Sequence, residues 1–310
     1  MNVRPISTYS IIAISKKENL MGVAVQSHWF SVGSVVCWAE SGVGVVATQS
    51  MAEPSYGPLG LFLMKSGIRS KKTLGALLTT DPKEDVRQVA MPDVLGGIVT
   101  HTGSHCVPEA GHVIGDDFSV QANLMKSKEV WPAMASAFRK KRGTLIRRMM
   151  SALEAAENVG GDIRGRQSAA MLIVKCQSTG TPWNNKVLDL RVEDHPEPLK
   201  ELNRLIRIHD AYTHNSIGDD LIAQGKTKKA LQEYRLANRK APEIIELKFW
   251  QAVSLLNNGN YEFGKEILKE VLVANKDWRK VLLSLPQPAI LSIDRETLYK
   301  IVAELGYDRA

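Results

Sequence analysis

The sequence predicts an α+β chain that ends in an all-α segment, and three patterns carry that prediction. Short Val- and Ala-rich runs bounded by turn residues fill residues 8–50 and return at 169–192. Between them, residues 128–158 repeat their apolar positions at helical spacing. Beyond about residue 200 the helical spacing persists, and similar residues recur 34 positions apart. Strands, then helices, then strands is the order of a layered α+β architecture rather than of repeated βαβ units.

Thr8–Ser15 (TYSIIAIS) and Met21–Ser27 (MGVAVQS) flank the polar turn KKENL and are expected to pair as an antiparallel hairpin. Val32–Ala39 and Gly42–Gln49 flank Glu40-Ser41 and are expected to form a second hairpin. Their Val and Ala content suits strands covered on both faces. Tyr56–Ser66 and Lys72–Thr79 are helical by periodicity, with Gly67 and Pro82 as stops. Val94–Thr102 and His112–Asn123 are expected as strands, and Lys128–Lys140 and Gly143–Asn158 as amphipathic helices. Ala169–Cys176 and Val187–Val192 complete the strands. The two prolines of His195-Pro196-Glu197-Pro198 interrupt regular structure, which sets the expected domains at 1–198 and 199–310.

In the second domain Gly225 and Gly259 each end a helix and lie 34 residues apart. At that spacing Gly218 matches Ala252, Leu221 matches Leu255, Tyr234 matches Leu268 and Ala237 matches Val271. Gly218, Ala230, Ala237 and Pro242 fall where tetratricopeptide repeats place small residues and a closing proline. Small side chains there let the helices of one repeat approach closely. About three repeats are normally needed for a stable array, so Leu199–Ile208 and Lys280–Gly306 are expected to supply further helices. The expected product is an all-α tetratricopeptide-like domain, and a protein or peptide in its concave groove is one alternative for what the chain does.

With 310 residues, 44% of them hydrophobic and 24% charged, the chain has the composition and length of a two-domain globular protein. No apolar run approaches the ~20 residues of a membrane span, and the first residues lack the charged-then-apolar layout of a signal peptide. A cytoplasmic protein without a membrane partner is expected. Cys37, Cys106 and Cys176 are far apart, odd in number and form no CxxC pair, which argues against a disulfide framework or zinc ribbon. They are expected as small buried apolar side chains. The net charge of +7 is densest in RKKRGTLIRR at Arg139–Arg148. No nucleic-acid motif with interleaved aromatics accompanies it, so the run is read as a solvated helix end followed by a turn at Gly143. No nucleic-acid partner is expected.

The motifs TYSIIA, GVAVQS, the VGSVV–W–GVGVVATQ run, PSYGPLG, HTGSHCVPEAGH, FSVQANLM, GDIRGRQSAA and LRVEDHPEP follow one another in that order. Together they resemble an uncharacterised bacterial family of unknown function assigned to the N-terminal-nucleophile (Ntn) amidohydrolase superfamily, over almost all of residues 8–198. The resemblance implies a four-layer α-β-β-α sandwich with two antiparallel sheets packed face to face. It also implies hydrolysis of an amide C–N bond in a small molecule. In such enzymes the first residue of the first strand is the nucleophile and its own freed α-amine is the base. An amine with an unperturbed pKa near ~8 suits that role. The matching position is Thr8, once residues 1–7 are removed. Members of the family it resembles often start Met-Thr-Phe-Ser-Ile, whereas this chain carries MNVRPIS before Thr8. In the plainer reading Thr8 only opens a strand.

Other residues fall into roles around that position. Asn123 is expected either to hold the oxyanion or to cap a helix. Asp162 and Ser168 are expected to orient the Thr8 hydroxyl and amine. Arg164 and Arg166 suit bidentate recognition of an acidic substrate group, or with Asp162 form a structural Asp–Arg brace. Gln49, Ser50, Thr102 and Gln167 complete the expected substrate-binding set. His101, His105 and His112 crowd one segment, but it reads as strand then loop and no Asp or Glu completes a metal shell. Neither a metal nor an organic cofactor is expected. No GxSxG elbow occurs. Two rivals share the fold: a non-catalytic ligand-binding protein, and a scaffold working through its helical repeats. A homodimer is a further expectation, as one way to cover apolar sheet and helix faces.

Overall fold

The computed structural model describes residues 6–307. In chain order its first half contains β1 (Thr8–Ser15), β2 (Leu20–Ser27), α1 (Gly33–Val36), β3 (Cys37–Glu40), β4 (Gly44–Ser50), α2 (Tyr56–Lys65), α3 (Ser70–Thr80), β5 (Arg87–Pro92) and β6 (Ile98–Thr102). There follow β7 (Gly111–Ile114), β8 (Phe118–Ala122), α4 (Val130–Lys140), α5 (Leu145–Asn158), β9 (Ser168–Lys175) and β10 (Lys186–Val192). The remainder is helical: α6 (Pro198–Ala223), α7 (Thr227–Lys240), α8 (Ile245–Asn257), α9 (Tyr261–Ala274), α10 (Trp278–Ser284) and α11 (Arg295–Glu304). Contacts divide the chain into two units, Met1–Arg204 and Leu205–Ala310.

The first unit is a mixed α+β structure built on two sheets. One has the strand order β10-β9-β2-β1-β8-β7 and the other β3-β4-β5-β6. The strand pairings are antiparallel. Alternation along β1 decides what each residue meets. Ser10, Ile12 and Ile14 turn toward the four-stranded sheet, where Ser10 reaches Gln49 and the two isoleucines join Val45, Ala47 and Ala90 in an apolar cluster. Thr8 has the same parity. Tyr9 turns the other way, toward Glu157 of α5. Leu145, Met149, Leu153 and Ala156 recur at helical spacing on the buried stripe of α5, which packs on β1 and β2. The helix α4 packs on β7 and β8, while α2 and α3 pack on the four-stranded sheet.

Three sequence expectations need correction. Val32–Ala39 is not one strand: its first half is the short helix α1 and only Cys37–Glu40 is extended. Val32 N–H donates to Ser168 Oγ, and Gly33 packs so close to Ala170 that an added Cβ would lie 2.5 Å from the Ala170 Cβ. Tertiary contact therefore overrides the β-branched composition. His112–Asn123 is two strands, β7 and β8, joined across Gly115-Asp116-Asp117. Val94–Thr102 is extended only from Ile98, and the strand before it, Arg87–Pro92, was not expected. Asp93 closes the turn between them by accepting from Leu95 N (3.0 Å) and Gly97 N (3.2 Å).

In the second unit α7 and α9 begin 34 residues apart, at Thr227 and Tyr261. Gly225 (φ +71°) and Gly259 (φ +73°) end the helices before them in the left-handed region that favours glycine. A Cβ on Gly218 would lie 2.3 Å from a ring carbon of Tyr234, so glycine there permits close helix packing. Phe249, Leu256, Leu268, Leu282 and Leu298 form part of one apolar core joining α8, α9, α10 and α11.

Candidate functional site at the head of the first strand

Ile6 and Ser7 lead into β1 under tight control. Ile6 and Ser50 form an isolated antiparallel bridge: Ile6 N–H donates to Ser50 O (2.7 Å) and Ser50 N–H to Ile6 O (3.1 Å). Ser50 accepts φ +67° to do this, a costly conformation for a non-glycine residue and one that concentrates at functional sites. The Ser7 carbonyl accepts from Ser27 Oγ and from Arg164 Nη2, the latter at 2.9 Å. Thr8 Oγ1 donates to Ile6 O at 2.8 Å. The Thr8 carbonyl accepts from Asn123 N (3.1 Å), Gln49 Nε2 (3.3 Å) and Asn123 Nδ2 (3.4 Å). Ser7 and Thr8 are both fully buried.

The loop before β9 aims the arginine. Gly160, Gly161 and Gly165 all have positive φ, which folds the segment into a tight turn. Inside the turn Asp162 Oδ1 accepts from the backbone N (2.9 Å) and Nε (3.1 Å) of Arg164. Asp162 Oδ2 takes Arg164 Nη2 at 2.8 Å and the His28 N–H at 3.3 Å. A buried carboxylate thus fixes the guanidinium fork, and one nitrogen of that fork also reaches Ser7 O.

Behind Thr8, the space between the sheets is polar rather than apolar. Ser10 Oγ donates to Gln49 Oε1 (2.6 Å), Gln49 Nε2 to Gln88 Oε1 (2.7 Å), and Gln88 Nε2 to Thr102 Oγ1 (2.9 Å). Gln121 Nε2 reaches Ser10 Oγ (2.6 Å) and Asn123 Nδ2 reaches Gln88 Oε1 (3.0 Å). His112 Nδ1 ends the chain on Thr102 Oγ1 at 2.8 Å. Burial holds the His112 ring below the usual histidine range, and the nearby His101 adds to this. Tyr9 titrates well above the usual phenol range, first because it is buried and then because Glu157 stands beside it.

Among the described residues, the buried side-chain atoms without a hydrogen-bond partner belong to Ser7, Gln26, Ser50 and Asn123. Ser50 Oγ has the Cys106 thiol nearby but no hydrogen bond of normal geometry with it. Ser7, Ser50 and Asn123 adjoin the head of β1: Ser7 precedes Thr8, Ser50 bridges Ile6 and Asn123 binds the Thr8 carbonyl. Gln26 pairs with Tyr9 and so lies on the opposite face of its sheet from Thr8. Unsatisfied buried polar groups are rare and call for an explanation.

The fold gathers five of the residues singled out in the sequence, Thr8, Gln49, Ser50, Asn123 and Arg164, while Asp162 meets Arg164 and His28 N–H rather than Thr8, bracing the arginine instead of orienting the hydroxyl. Thr102 joins at the far end of the polar chain. Three others go elsewhere. Ser168 donates to Trp29 O and accepts from Val32 N, so it braces a turn instead of orienting Thr8. Arg166 pairs with Glu197 (3.1 Å) and lies 3.7 Å from Glu157. Gln167 donates to Asp194 at 3.1 Å. Asn123 caps no helix, because α4 starts at Val130. The histidines diverge as well: His101 meets Glu84 and His105 meets Asp85, while His112 meets Thr102. No group of three or more metal-ligating side chains occurs among the described residues.

Sequence reasoning missed Ser10, Ser27, Gln88 and Gln121. Their signal was a polar residue at an inward position of an otherwise apolar strand. A cavity of about 590 Å³ lies among α7, α8 and α9 of the second unit, whereas the head of β1 is closed over by Ile6 and Ser7.

Comparison with known proteins agrees with the extent of this unit. The model of a family described as a family of unknown function (DUF1028) matches residues 8–202. A crystal structure of a Silicibacter pomeroyi protein of that family is similar, with 28% identity and a TM-score of 0.59 over 65% of this chain and 88% of that one. No curated protein matches the chain.

Proposed function

The chain belongs to this family of unknown function, and from that premise we propose that its first unit is an Ntn-type hydrolase of amide C–N bonds, with Thr8 as nucleophile after loss of residues 1–7. Residues 1–5 lie outside the described residues. The layering of α2 and α3, two antiparallel sheets, and α4 and α5 is compatible with the α-β-β-α sandwich of that superfamily. One observation carries the reading above all. The carbonyl before Thr8 is clasped by a hydroxyl and a guanidinium, and Ser7, Ser50 and Asn123 beside it each carry a buried polar atom without a partner.

The clasp suits self-processing. Attack of Thr8 Oγ on the Ser7 carbonyl carbon puts negative charge on the oxygen that Ser27 and Arg164 already hold. The Ser7–Thr8 C–N bond then breaks as the Thr8 nitrogen takes up the proton that Oγ gave up, leaving an ester on Oγ and an amine on Thr8. Water hydrolyses that ester, so the leader departs with a carboxylate at Ser7 and Thr8 keeps its free amine. In turnover the amine takes the Oγ proton as Oγ attacks a substrate amide, then passes it to the leaving amine. Water releases the acyl group from the resulting ester. Asn123 and Gln49 position Thr8 through its carbonyl.

Intact-mass spectrometry of the purified chain tests this. Wild type is expected to begin at Thr8, and Thr8→Ala to retain residues 1–7. A chain that keeps its leader and still hydrolyses amides contradicts the proposal. The second unit is read here as tetratricopeptide-like, on the 34-residue offset of α7 and α9 and the close Gly218–Tyr234 packing. A scaffold role for it predicts cellular function that survives Thr8→Ala and is lost on deleting 205–310.

A further inference from the structure

The residues ahead of Thr8 are held as a bound ligand would be. Both backbone polar groups of Ile6 are paired with Ser50, at 2.7 and 3.1 Å, and the Ser7 carbonyl has two donors. The side chains are treated differently. Ile6, only 7% exposed, joins the inter-sheet apolar cluster that includes Val32, Val36, Cys37 and Ala47. The Ser7 side chain is fully buried, yet its hydroxyl bonds nothing. The site therefore reads the Ile6–Ser7 backbone by hydrogen bonds and the two side chains by volume alone.

This inference rests on the Thr8-nucleophile reading. Departure of the leader vacates the Ser50 N–H and C=O, the Ser27 hydroxyl, Arg164 Nη2, an apolar slot and a small buried space. We infer that the substrate is a peptide-like acyl donor that re-occupies this track. Its scissile carbonyl lies between Ser27 and Arg164 and belongs to a small residue such as Ser or Ala. The residue before that one is a branched aliphatic with a free N–H, which pairs with Ser50 as one rung of a β-bridge. The strained φ of Ser50 then has a purpose, since it presents both its N–H and its C=O to the incoming chain. The Oγ–acyl bond forms as the C–N bond breaks, the leaving amine takes the proton from the Thr8 amine, and water hydrolyses the ester to the free acid.

The test uses the full-length expressed chain, its N-terminus assigned by mass, and aminomethylcoumarin amides of acetyl-Ile-Ser, acetyl-Ile-Ala, acetyl-Gly-Ser, acetyl-Ile-Phe and acetyl-(N-methyl-Ile)-Ser. Ile-Ser and Ile-Ala are expected to agree in kcat/KM within about threefold, because the serine hydroxyl has no partner to lose. Gly-Ser, Ile-Phe and the N-methylated compound are expected to fall by about tenfold or more, the scale on which one apolar contact or one lost hydrogen bond discriminates. A chain that begins at Thr8 but cleaves all these compounds alike, or none of them while hydrolysing other amides, overturns the substrate inference and leaves the nucleophile reading standing. An intact Ser7–Thr8 bond in a chain without amidase activity overturns both.

Discussion

Ser27 and Arg164 grip the carbonyl that precedes Thr8, and removing either grip has a defined consequence. Loss of one oxyanion donor typically slows acyl chemistry by about 10²–10³-fold. Ser27→Ala is therefore expected to slow release of residues 1–7 on that scale, followed by intact mass against time, while circular dichroism stays unchanged. His112 gives a pH prediction. Its folded pKa is lowered by burial, with His101 adding to the effect. Well above the unfolded value of ~6.5 both states are neutral. As pH falls through that value the unfolded chain takes up a proton that the folded chain resists, so stability declines. Denaturant midpoints measured from neutral to mildly acidic pH are expected to fall less steeply in His112→Gln than in wild type. At this scale the sequence was informative where a polar residue ends a strand, as at Gln49, Ser50 and Asn123, and where glycines fold a loop around polar residues, as at Asp162 and Arg164. It was uninformative where neighbouring residues part company. Arg164 reaches Ser7 whereas Arg166 turns to Glu197 and Ser168 to Trp29, and only the folded path of the loop separates them.

Elements place these residues, and turn chemistry places the elements. Gly161 has φ +54°, and a Cβ there would lie 3.1 Å from Glu157 Oε2 and 3.4 Å from the Tyr9 ring. Gly161→Ala is expected to cost about 1–2 kcal/mol from backbone conformation alone. It should also slow leader release, because the same turn aims Arg164; urea titration and mass kinetics read the two effects separately. Thr144 caps α5 by accepting from Arg147 N at 3.4 Å. Thr144→Ala is expected to destabilise the fold by about 0.5–2 kcal/mol in urea without changing the N-terminus. Hairpins and amphipathic helices were legible from alternation and helical spacing, as for Thr8–Ser15, Tyr56–Lys65 and Leu145–Asn158. The strand Arg87–Pro92 was not. It opens on a buried arginine paired with Asp81 at 2.7 Å and closes on a proline, both poor strand signals in isolation.

The whole chain joins two units of different character, a two-sheet α+β unit and a helical one. Among the described residues no helix is long and apolar enough to cross a membrane. The basic run at Arg139–Arg148 is partly structural: Arg139 stacks over Phe118 at 5.1 Å, and Arg148 over Phe138 at 4.0 Å while pairing with Asp117. Cys37, Cys106 and Cys176 are free and buried. Family membership of the first unit was legible because its motifs are ordered along the chain, whereas the proposed chemistry depends on a single peptide bond between Ser7 and Thr8. Treatment with a peptidyl epoxyketone tests that bond and that residue together, since the reagent closes a morpholine ring only on an N-terminal residue that offers both a hydroxyl and a free amine. The account predicts one adduct, mapped by tandem mass spectrometry to a peptide that begins at Thr8. Unlabelled protein with Ser7 still joined to Thr8, alongside undiminished amide hydrolysis, would contradict it.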